Sequence, residues 1–157
     1  MTPTEIQSAI QAKFPEAQPI PKPEGQARGD EAYVSVPAAK IVDVCRFIRF
    51  DPPLSFDFLS FVTSIDWKTH YEVVYYLLST LHKHKLVIKV KVEDRTSPEV
   101  PTICTVWPTA DWQEREVFDM MGIRFAGHYN MRRILLPDDW EGYPLRKDYA
   151  AKPDRYD

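Results

Sequence analysis

The sequence predicts an α+β fold, with helices packed on a mixed or mainly antiparallel sheet and an extended, irregular C-terminal tail. Residues 58–66, 71–80 and 85–92 are rich in the β-branched and aromatic side chains that strands prefer. Short links that suit hairpins separate these three runs. Apolar residues at helical spacing lie before and after the group. Strands and helices that form separate groups, rather than alternating regularly, are typical of α+β folds.

Two helices are predicted before the strands. Thr2 is suited to cap the first helix, Pro3 to begin it, and Glu5 completes a capping box. A proline then ends this helix. Apolar residues recur at helical spacing over residues 41–48, and an Asp-Pro-Pro sequence ends that second helix.

The last of these three strands has the clearest pattern. Over residues 85–92, Leu, Ile and Val alternate with residues that are mostly Lys. A period of two with one polar face predicts an antiparallel sheet with one solvated face. Residues 32–36 are a further short strand candidate, and residues 102–107 are expected to add a short edge strand.

A third helix is predicted over residues 111–121, with Gly122 as its C-cap. Glu114 stands three residues after the first helical position and completes a capping box. Arg115 and Asp119 stand at i and i+4, so we expect them to form an ion pair.

The chain divides into an α+β domain over residues 1–126 and an extended tail over residues 127–157. Within the first part, four of the 14 prolines fall between residues 15 and 23, which predicts a connecting loop. No internal repeat is apparent.

Composition narrows the possible functions. The net charge is −3, which gives no general attraction to nucleic acid. No stretch of eighteen apolar residues occurs, so we expect no membrane-spanning segment. The first residues lack the apolar core of a signal peptide. We therefore expect a cytoplasmic protein whose contact with a membrane is made only through partners.

The cysteine content bears on cofactors. Only Cys45 and Cys104 occur, and two thiolates cannot supply the four ligands of an iron–sulfur cluster. Neither belongs to a CxxC pair. Both lie in apolar stretches, so we expect buried thiols and no cofactor bound by this chain.

Two clusters in the strand region have competing interpretations. His82 and His84 would face the same side of a strand, as a metal pair requires, but no third ligand is evident and lysines flank them. A solvated turn is the favoured interpretation. The lysines could contact acidic partners or anionic lipid. The favoured interpretation is the solvated face of an amphipathic strand; the residues are Lys83, Lys85, Lys89 and Lys91.

The third helix concentrates carboxylates at Glu114, Glu116 and Asp119. Paired carboxylates can act in acid–base catalysis. However, no nucleophile motif, phosphate-binding loop or metal-ligand motif accompanies them. We therefore favour a role in internal ion pairs or in an interface.

The tail combines loop-forming residues with apolar and aromatic ones. Pro137, Gly142 and Pro144 exclude long regular elements. Ordering a loop-like segment costs about 1–2 kcal/mol per residue in backbone entropy. Because its Leu and aromatic residues are too many for a disordered spacer, we expect the tail to pack on its own domain or on a partner. Without a partner, we expect the tail to be mobile or to pack in an artificial arrangement.

Residues 110–149 closely resemble a known family, the 30-kDa subunits of respiratory complex I, represented in bacteria by the C-type subunit of NADH:quinone oxidoreductase and in plastids and cyanobacteria by the J-type subunit. The matching pieces are Glu114-Arg115-Glu116, Asp119-Met120, Gly122-Ile123, Phe125, Gly127-His128, Arg133-Ile134-Leu135, Pro137, Asp139-Trp140, Gly142 and Pro144-Leu145-Arg146-Lys147-Asp148-Tyr149. Family members usually carry proline after the Gly-His pair, where this chain has Tyr129.

The resemblance implies a non-catalytic structural subunit in the peripheral arm of a proton-translocating NADH:quinone oxidoreductase. It implies no bound cofactor or catalytic residue, and a peripheral place on the cytoplasmic side of the inner membrane. The implied partners are the large quinone-site subunit, known as the D-type subunit, and neighbouring iron–sulfur subunits.

Arginine forks and aromatic anchors suit interfaces, so we expect nine tail residues to bind the quinone-site subunit: Arg132, Arg133, Trp140, Tyr143, Leu145, Arg146, Lys147, Asp148 and Tyr149. A second group is assigned as the structural signature of the family: Glu114, Arg115, Glu116, Asp119, Gly122 and His128.

Two other functions stay open at this point. One is a self-sufficient enzyme that uses the histidine pair or the carboxylates of the third helix. The other is the equivalent subunit of a related ferredoxin-fed or hydrogenase-type membrane complex, since the electron-input module would lie in other chains.

Overall fold

A computed structural model describes residues 1–23 and 29–150. Within them, three α-helices pack on a five-stranded mixed sheet, and two short strands form a second sheet. The predicted α+β class is therefore confirmed. The elements are α1 (Pro3–Lys13), β1 (Gln18–Pro19), β2 (Glu31–Ser35), α2 (Ile41–Phe50), β3 (Phe58–Asp66), β4 (Tyr71–Leu78), β5 (Lys85–Val92), β6 (Glu99–Pro101), α3 (Ala110–Met121) and β7 (Arg124–Ala126), with a 3₁₀ turn (Ala38–Lys40) before α2.

The five-stranded sheet has the order β1-β2-β5-β4-β3. Strands β3, β4 and β5 form the antiparallel meander that the short links predicted, and β5 then lies parallel to β2. This single parallel pairing makes the sheet mixed. It places β5 at the centre, where both of its edges are hydrogen-bonded.

The alternation of β5 separates the core from the open face of the sheet. Leu86, Ile88 and Val90 are fully buried beneath the helices. On the opposite face, Lys89 pairs with Glu72 of β4 at 3.1 Å. The strand is therefore amphipathic, as predicted.

Helices α1 and α2 follow their boundary signals. Thr2 and Glu5 form the predicted capping box, in which each side chain bonds the other residue's backbone N–H. Helix α2 ends at Phe50 with Asp51 as its C-cap, and its apolar stripe is completely buried at Ile41 and Ile48. The buried residues of both helices and of the sheet belong to one hydrophobic core.

Two local predictions near α3 are wrong for one reason. Residues 102–107 are not a strand, and no capping box opens α3, whose N-cap Thr109 makes no side-chain hydrogen bond. Glu114 points inward and accepts hydrogen bonds from the Ile103 N–H at 2.9 Å and the Thr102 hydroxyl at 2.5 Å. Since this carboxylate captures the backbone, the segment turns, and Val106 N–H bonds back to the Ile103 carbonyl.

The two thiols differ in exposure. Cys45 is fully buried, as expected, whereas Cys104 is only partly buried. Burial raises the pKa of both, that of Cys104 to about 12. Neither is therefore present as the reactive thiolate at neutral pH.

No helix in the described residues is both long and apolar enough to cross a membrane.

Candidate partner-binding site

Residues 127–150, the described part of the tail, lie against α3 and the first residue of β4. The tail forms no helix or strand over this range. Its backbone groups therefore need partners other than a ladder or a helix. Side chains supply many of these partners. They are Asp66, Arg115 and Asp119 in the body and His128 and Arg133 in the tail.

Asp119, on the last turn of α3, is the main acceptor for the tail. Its Oδ2 accepts hydrogen bonds from three consecutive amides, those of Ile134, Leu135 and Leu136, at 3.1, 2.7 and 2.9 Å. Its Oδ1 accepts from the Arg133 guanidinium at 2.7 Å. The residue is completely buried. Burial alone would raise the pKa of this carboxyl, but Arg133 and the three amides outweigh burial and hold the pKa below its usual value.

Arg133 ties two stretches of the tail to that same carboxylate. Beyond Asp119 it donates to the carbonyls of Trp140 and Gly142 at 3.0 and 2.9 Å. Its guanidinium also lies 5.2 Å from the ring centre of Tyr143. The fork is therefore satisfied within the chain and closes the tail into a loop.

Arg146 anchors the far end of that loop. It donates to the Met121 carbonyl at 2.7 Å and lies over the rings of Tyr143 and Tyr71, at 4.6 and 5.3 Å from their centres. The carbonyl is one that the end of α3 leaves free. The helix C-terminus therefore receives a cation from the tail, which complements the helix dipole.

Gly122 makes this crossing possible. It caps α3 in the left-handed conformation, with φ of +71°, as its position in the sequence predicted. A Cβ at this position would lie 2.5 Å from both Arg146 Nη2 and Tyr143 Cε2. The glycine is therefore needed twice, for the turn and for the close approach of the tail.

A second buried carboxylate, Asp66 at the end of β3, holds the last part of the tail. It accepts the Lys147 amide at 2.9 Å and the Arg95 guanidinium at 2.6 Å. The hydrogen bond from Arg95, joined by the Lys147 and Lys68 amides, depresses the pKa of Asp66 well below its usual range despite burial. Arg95 in turn reaches Asp148 at 3.5 Å.

The predicted Arg115–Asp119 ion pair is wrong. Arg115 instead donates to the carbonyls of Arg132 and Arg133, at 3.2 and 3.0 Å, while Asp119 pairs with Arg133. The tail runs along this face of α3 and offers both partners, so the long-range contacts replace the local one.

His128, the second residue of the tail, lies beside the buried Glu114. Its side chain is fully buried, and Nε2 lies 4.0 Å from Glu114 Oε2 and 3.1 Å from Asp111 Oδ1. Burial raises the pKa of Glu114, although the Thr102, Ile103 and Cys104 hydrogen bonds oppose that shift. Tyr129 closes the group with a hydrogen bond from its hydroxyl to Asp111.

Cys104, Glu114 and His128 could each offer one ligand atom to a metal, and these atoms lie within 4.8 Å of one another. Sequence spacing did not indicate this cluster. The histidine is oriented against ligation, however, because its Nδ1 accepts the Asn130 N–H at 3.0 Å. The neutral ring must then carry its proton on Nε2, which bonds to the Asp111 carbonyl at 3.3 Å. Ligation through Nε2 would need the reverse arrangement, a free Nε2 lone pair with Nδ1–H donated outward, and the Asn130 N–H already occupies Nδ1. We therefore interpret the cluster as a hydrogen-bond network.

The His82–His84 pair serves the turn between β4 and β5. Their rings stack with centres 5.4 Å apart, and the two Nε2 atoms bond the carbonyls of Pro52 and Leu54 at 2.9 and 2.6 Å. Burial lowers the pKa of His84. Both side chains hold the segment after α2 against this turn. The predicted turn is confirmed, but only His82 is exposed; His84 is buried rather than solvated.

The nine tail residues expected to bind a partner fall into two groups. Arg133 and Arg146 use their guanidinium groups within the chain, as described above, and three aromatic residues are half-buried: Trp140, Tyr143 and Tyr149. The other four are exposed: Arg132, Leu145, Lys147 and Asp148. Their part in partner binding stays a prediction.

Four large apolar side chains of α3 and the tail are strongly exposed, and the prediction contained only one of them. Trp112 of α3 is 64% exposed and Tyr129 is 77% exposed, while Leu135 and Leu145 are each 62% exposed. Trp112 could have been suspected from its place on the outer face of α3. Leu135 could not, because its exposure depends on how Asp119 turns the tail.

Comparison with known proteins gives consistent matches. A family model described as "Respiratory-chain NADH dehydrogenase, 30 Kd subunit" matches residues 34–155. The C-type subunit of the NADH-quinone oxidoreductase of Roseiflexus castenholzii is 48% identical over 124 residues, which cover 77% of this chain and 70% of that protein. The C-type subunit from Geobacter sulfurreducens is 42% identical over 130 residues, 80% of this chain and 78% of that protein.

A solved structure gives a similar result. One chain in the structure of the membrane-bound sulfane sulfur reductase, an archaeal respiratory membrane complex, matches with a TM-score of 0.78 and 30% sequence identity. The match covers 94% of this chain and 85% of the other.

Proposed function

The chain belongs to the family of the 30-kDa subunit of respiratory-chain NADH dehydrogenase, and from that membership we propose that it is a non-catalytic structural subunit in the peripheral arm of a proton-translocating NADH:quinone oxidoreductase. The membership confirms the resemblance read from residues 110–149. Relatives named as the C-type subunit of NADH-quinone oxidoreductase, at 40–49% identity, support this assignment.

In the proposed role the chain binds no redox cofactor. Two features of its residues support this. Its two thiols, Cys45 and Cys104, have raised pKa values, and they are too few for an iron–sulfur cluster. Two of the three carboxylates that the sequence offered for catalysis, Glu114 and Asp119, are fully buried and bonded to the chain itself. Electron transfer from NADH to quinone would then belong to the neighbouring subunits.

The single observation that carries the proposed partner contact is the exposure of large apolar side chains on α3 and the tail. Leu135 and Leu145 extend from a tail whose backbone is fixed to Asp119 and Met120. Large apolar side chains on an ordered loop are typical of protein interfaces. We propose that the exposed apolar side chains of α3 and the tail contact the quinone-site subunit, with iron–sulfur subunits nearby. The chain would then lie at a peripheral position on the cytoplasmic side of the inner membrane.

The test is a double substitution, Leu135→Asp with Leu145→Asp, in the tagged full-length chain. We expect it to reduce recovery of the quinone-site subunit from gently solubilised native membranes by at least about tenfold, because each buried leucine contributes about 1.5–3 kcal/mol. The matched control is Leu81→Asp, which changes a leucine 70% exposed in the turn after β4, at the other end of that strand from Tyr71. Recovery of an intact complex with the double variant would contradict the proposal.

A second candidate is the equivalent subunit of a related membrane complex with a different electron input, such as a ferredoxin-fed or hydrogenase-type complex. The likeness to a chain of the sulfane sulfur reductase supports keeping it. The same purification separates the two. NADH-binding subunits among the recovered proteins favour the oxidoreductase, and hydrogenase-type subunits in their place favour the alternative.

A further inference from the structure

We infer that residues 127–150 of the tail are already folded on the chain's own domain before a partner arrives, with Asp119 as the residue that positions them, so that assembly is docking onto a preformed surface rather than folding upon binding. This inference rests on the proposed function, because it concerns how the same surface is used.

The first argument is the way in which the tail satisfies its backbone. A loop-like segment loses conformational entropy when it is ordered and normally recovers this from a partner. Here three consecutive amides, those of residues 134–136, converge on one oxygen of the fully buried Asp119. Hydrogen bonds to a charged group are the strong class. The ordering is therefore supported by the chain's own body.

The second argument is that two tail arginines bond groups of the chain itself. A segment that folds on a partner keeps its charged groups for that partner. Arg133 instead uses its fork on Asp119, Trp140 and Gly142. Arg146 donates to the last turn of α3 and stacks on Tyr143. These donors shape the tail, and a partner does not need to satisfy them.

The third argument is that the tail is held at two separate points. Asp119 fixes its middle, and Asp66 binds the Lys147 amide near the end of the described range. The two carboxylates lie on different elements, α3 and β3. Two separate attachments leave the intervening loop little freedom. The side chains left for a partner are the outward ones, chiefly Leu135 and Leu145.

The experiment compares backbone amide exchange in the isolated full-length chain and in the assembled complex. We expect the amides of residues 134–136 to be protected in the isolated chain, and to gain little further protection on assembly. Asp119→Asn keeps the shape but removes the charge, and we expect these amides to exchange about tenfold faster or more, as for the loss of one charged acceptor. The control Glu116→Gln removes a carboxylate from an exposed position on the same helix and should change nothing.

Further readouts decide between a local and a global effect. Amides in β5 should keep their protection in Asp119→Asn, which shows that the body is folded. The variant should also associate with the partner more slowly, because the docking surface is no longer preformed. Should the variant lose protection throughout the chain, the wild-type comparison alone decides the question.

The outcomes separate this inference from the proposed function. Wild-type tail amides that exchange freely in isolation and become protected in the complex would overturn preorganisation while supporting the partner contact. Tail amides protected in isolation, together with normal assembly of the Leu135→Asp, Leu145→Asp double variant, would keep preorganisation and refute the proposed contact.

Discussion

The sheet-and-helix body and the tail are ordered by different interactions. In the body, alternating apolar residues of β5 are buried beneath α1 and α2, and the backbone is satisfied by ladders and helices. In the tail, charged side chains bond backbone groups directly, and apolar residues such as Leu135 stay outside. The body is therefore specified by a periodic pattern, whereas the tail depends on a few long-range polar contacts.

Substitution in the core should have the largest effect and should be global. Ile88→Ala removes a fully buried side chain from the central strand, so we expect a loss of about 2–5 kcal/mol in the free energy of unfolding. Denaturant unfolding measures this directly. Because the tail packs on the body, tail and body amides should lose protection together; a variant that releases only the tail would contradict this relationship.

Removing a tail arginine should have a smaller and local effect. In Arg133→Ala, Asp119 loses its cationic partner, and the Trp140 and Gly142 carbonyls lose a donor. We expect the tail to be destabilised by about 1.5–3 kcal/mol, measured as faster exchange of the amides of residues 134–136.

The control for that experiment is the neighbouring Arg132→Ala. Arg132 has the same charge but is exposed, so we expect less than about 0.5 kcal/mol. Equal effects of the two substitutions would mean that the guanidinium contacts do not order the tail.

A glycine pair separates backbone strain from tail displacement. Gly122→Ala and Gly127→Ala both place a Cβ on left-handed backbone, with φ of +71° and +82°, at about 1–2 kcal/mol each. Only the first Cβ meets the tail, 2.5 Å from Tyr143 and Arg146; the second has ordinary contact with Thr102 at 3.5 Å. Tail amides should therefore exchange faster in Gly122→Ala than in Gly127→Ala, and identical exchange would contradict the close packing.

A change of pH near neutrality should have the smallest effect on the stability of the tail. The pKa values of Asp119 and Asp66 are depressed in the folded state, so their stabilisation is complete above the unfolded value of about 4 and is lost as pH falls through the folded values. Tail protection should thus be constant between about pH 5 and 8 and decline only below about pH 4. Glu114 has a raised pKa, so its contribution has the opposite sign: it favours the folded state at low pH and loses this effect as pH rises through the folded value.

The sequence predicted the body well because its elements carry local signals. The alternation over residues 85–92 coincides with β5, and the Thr2–Glu5 capping box and the Gly122 C-cap are confirmed. These features depend on residues within one or two turns of each other. Periodicity and capping chemistry therefore suffice to locate them.

Prediction failed where a distant group competes with a local one. Glu114 would have capped α3, but Thr102 and Ile103 bind it. Arg115 would have paired with Asp119, but the tail supplies other partners to both. Asp66 holds an amide 81 residues further along the chain. No local pattern identifies such a contact, so the tail residues could be recognised by type but not by orientation.

The convergence of tail amides on Asp119 affects how readily a chain aggregates before it joins its complex. A free row of amides invites pairing with strands of other chains, which leads to aggregates. Here the amides of residues 134–136 are already occupied by Asp119, so this stretch of a newly made chain offers no such row. Such a chain should resist aggregation until its neighbouring subunits are made. The synthesis of this subunit and that of its partners therefore need not be synchronised.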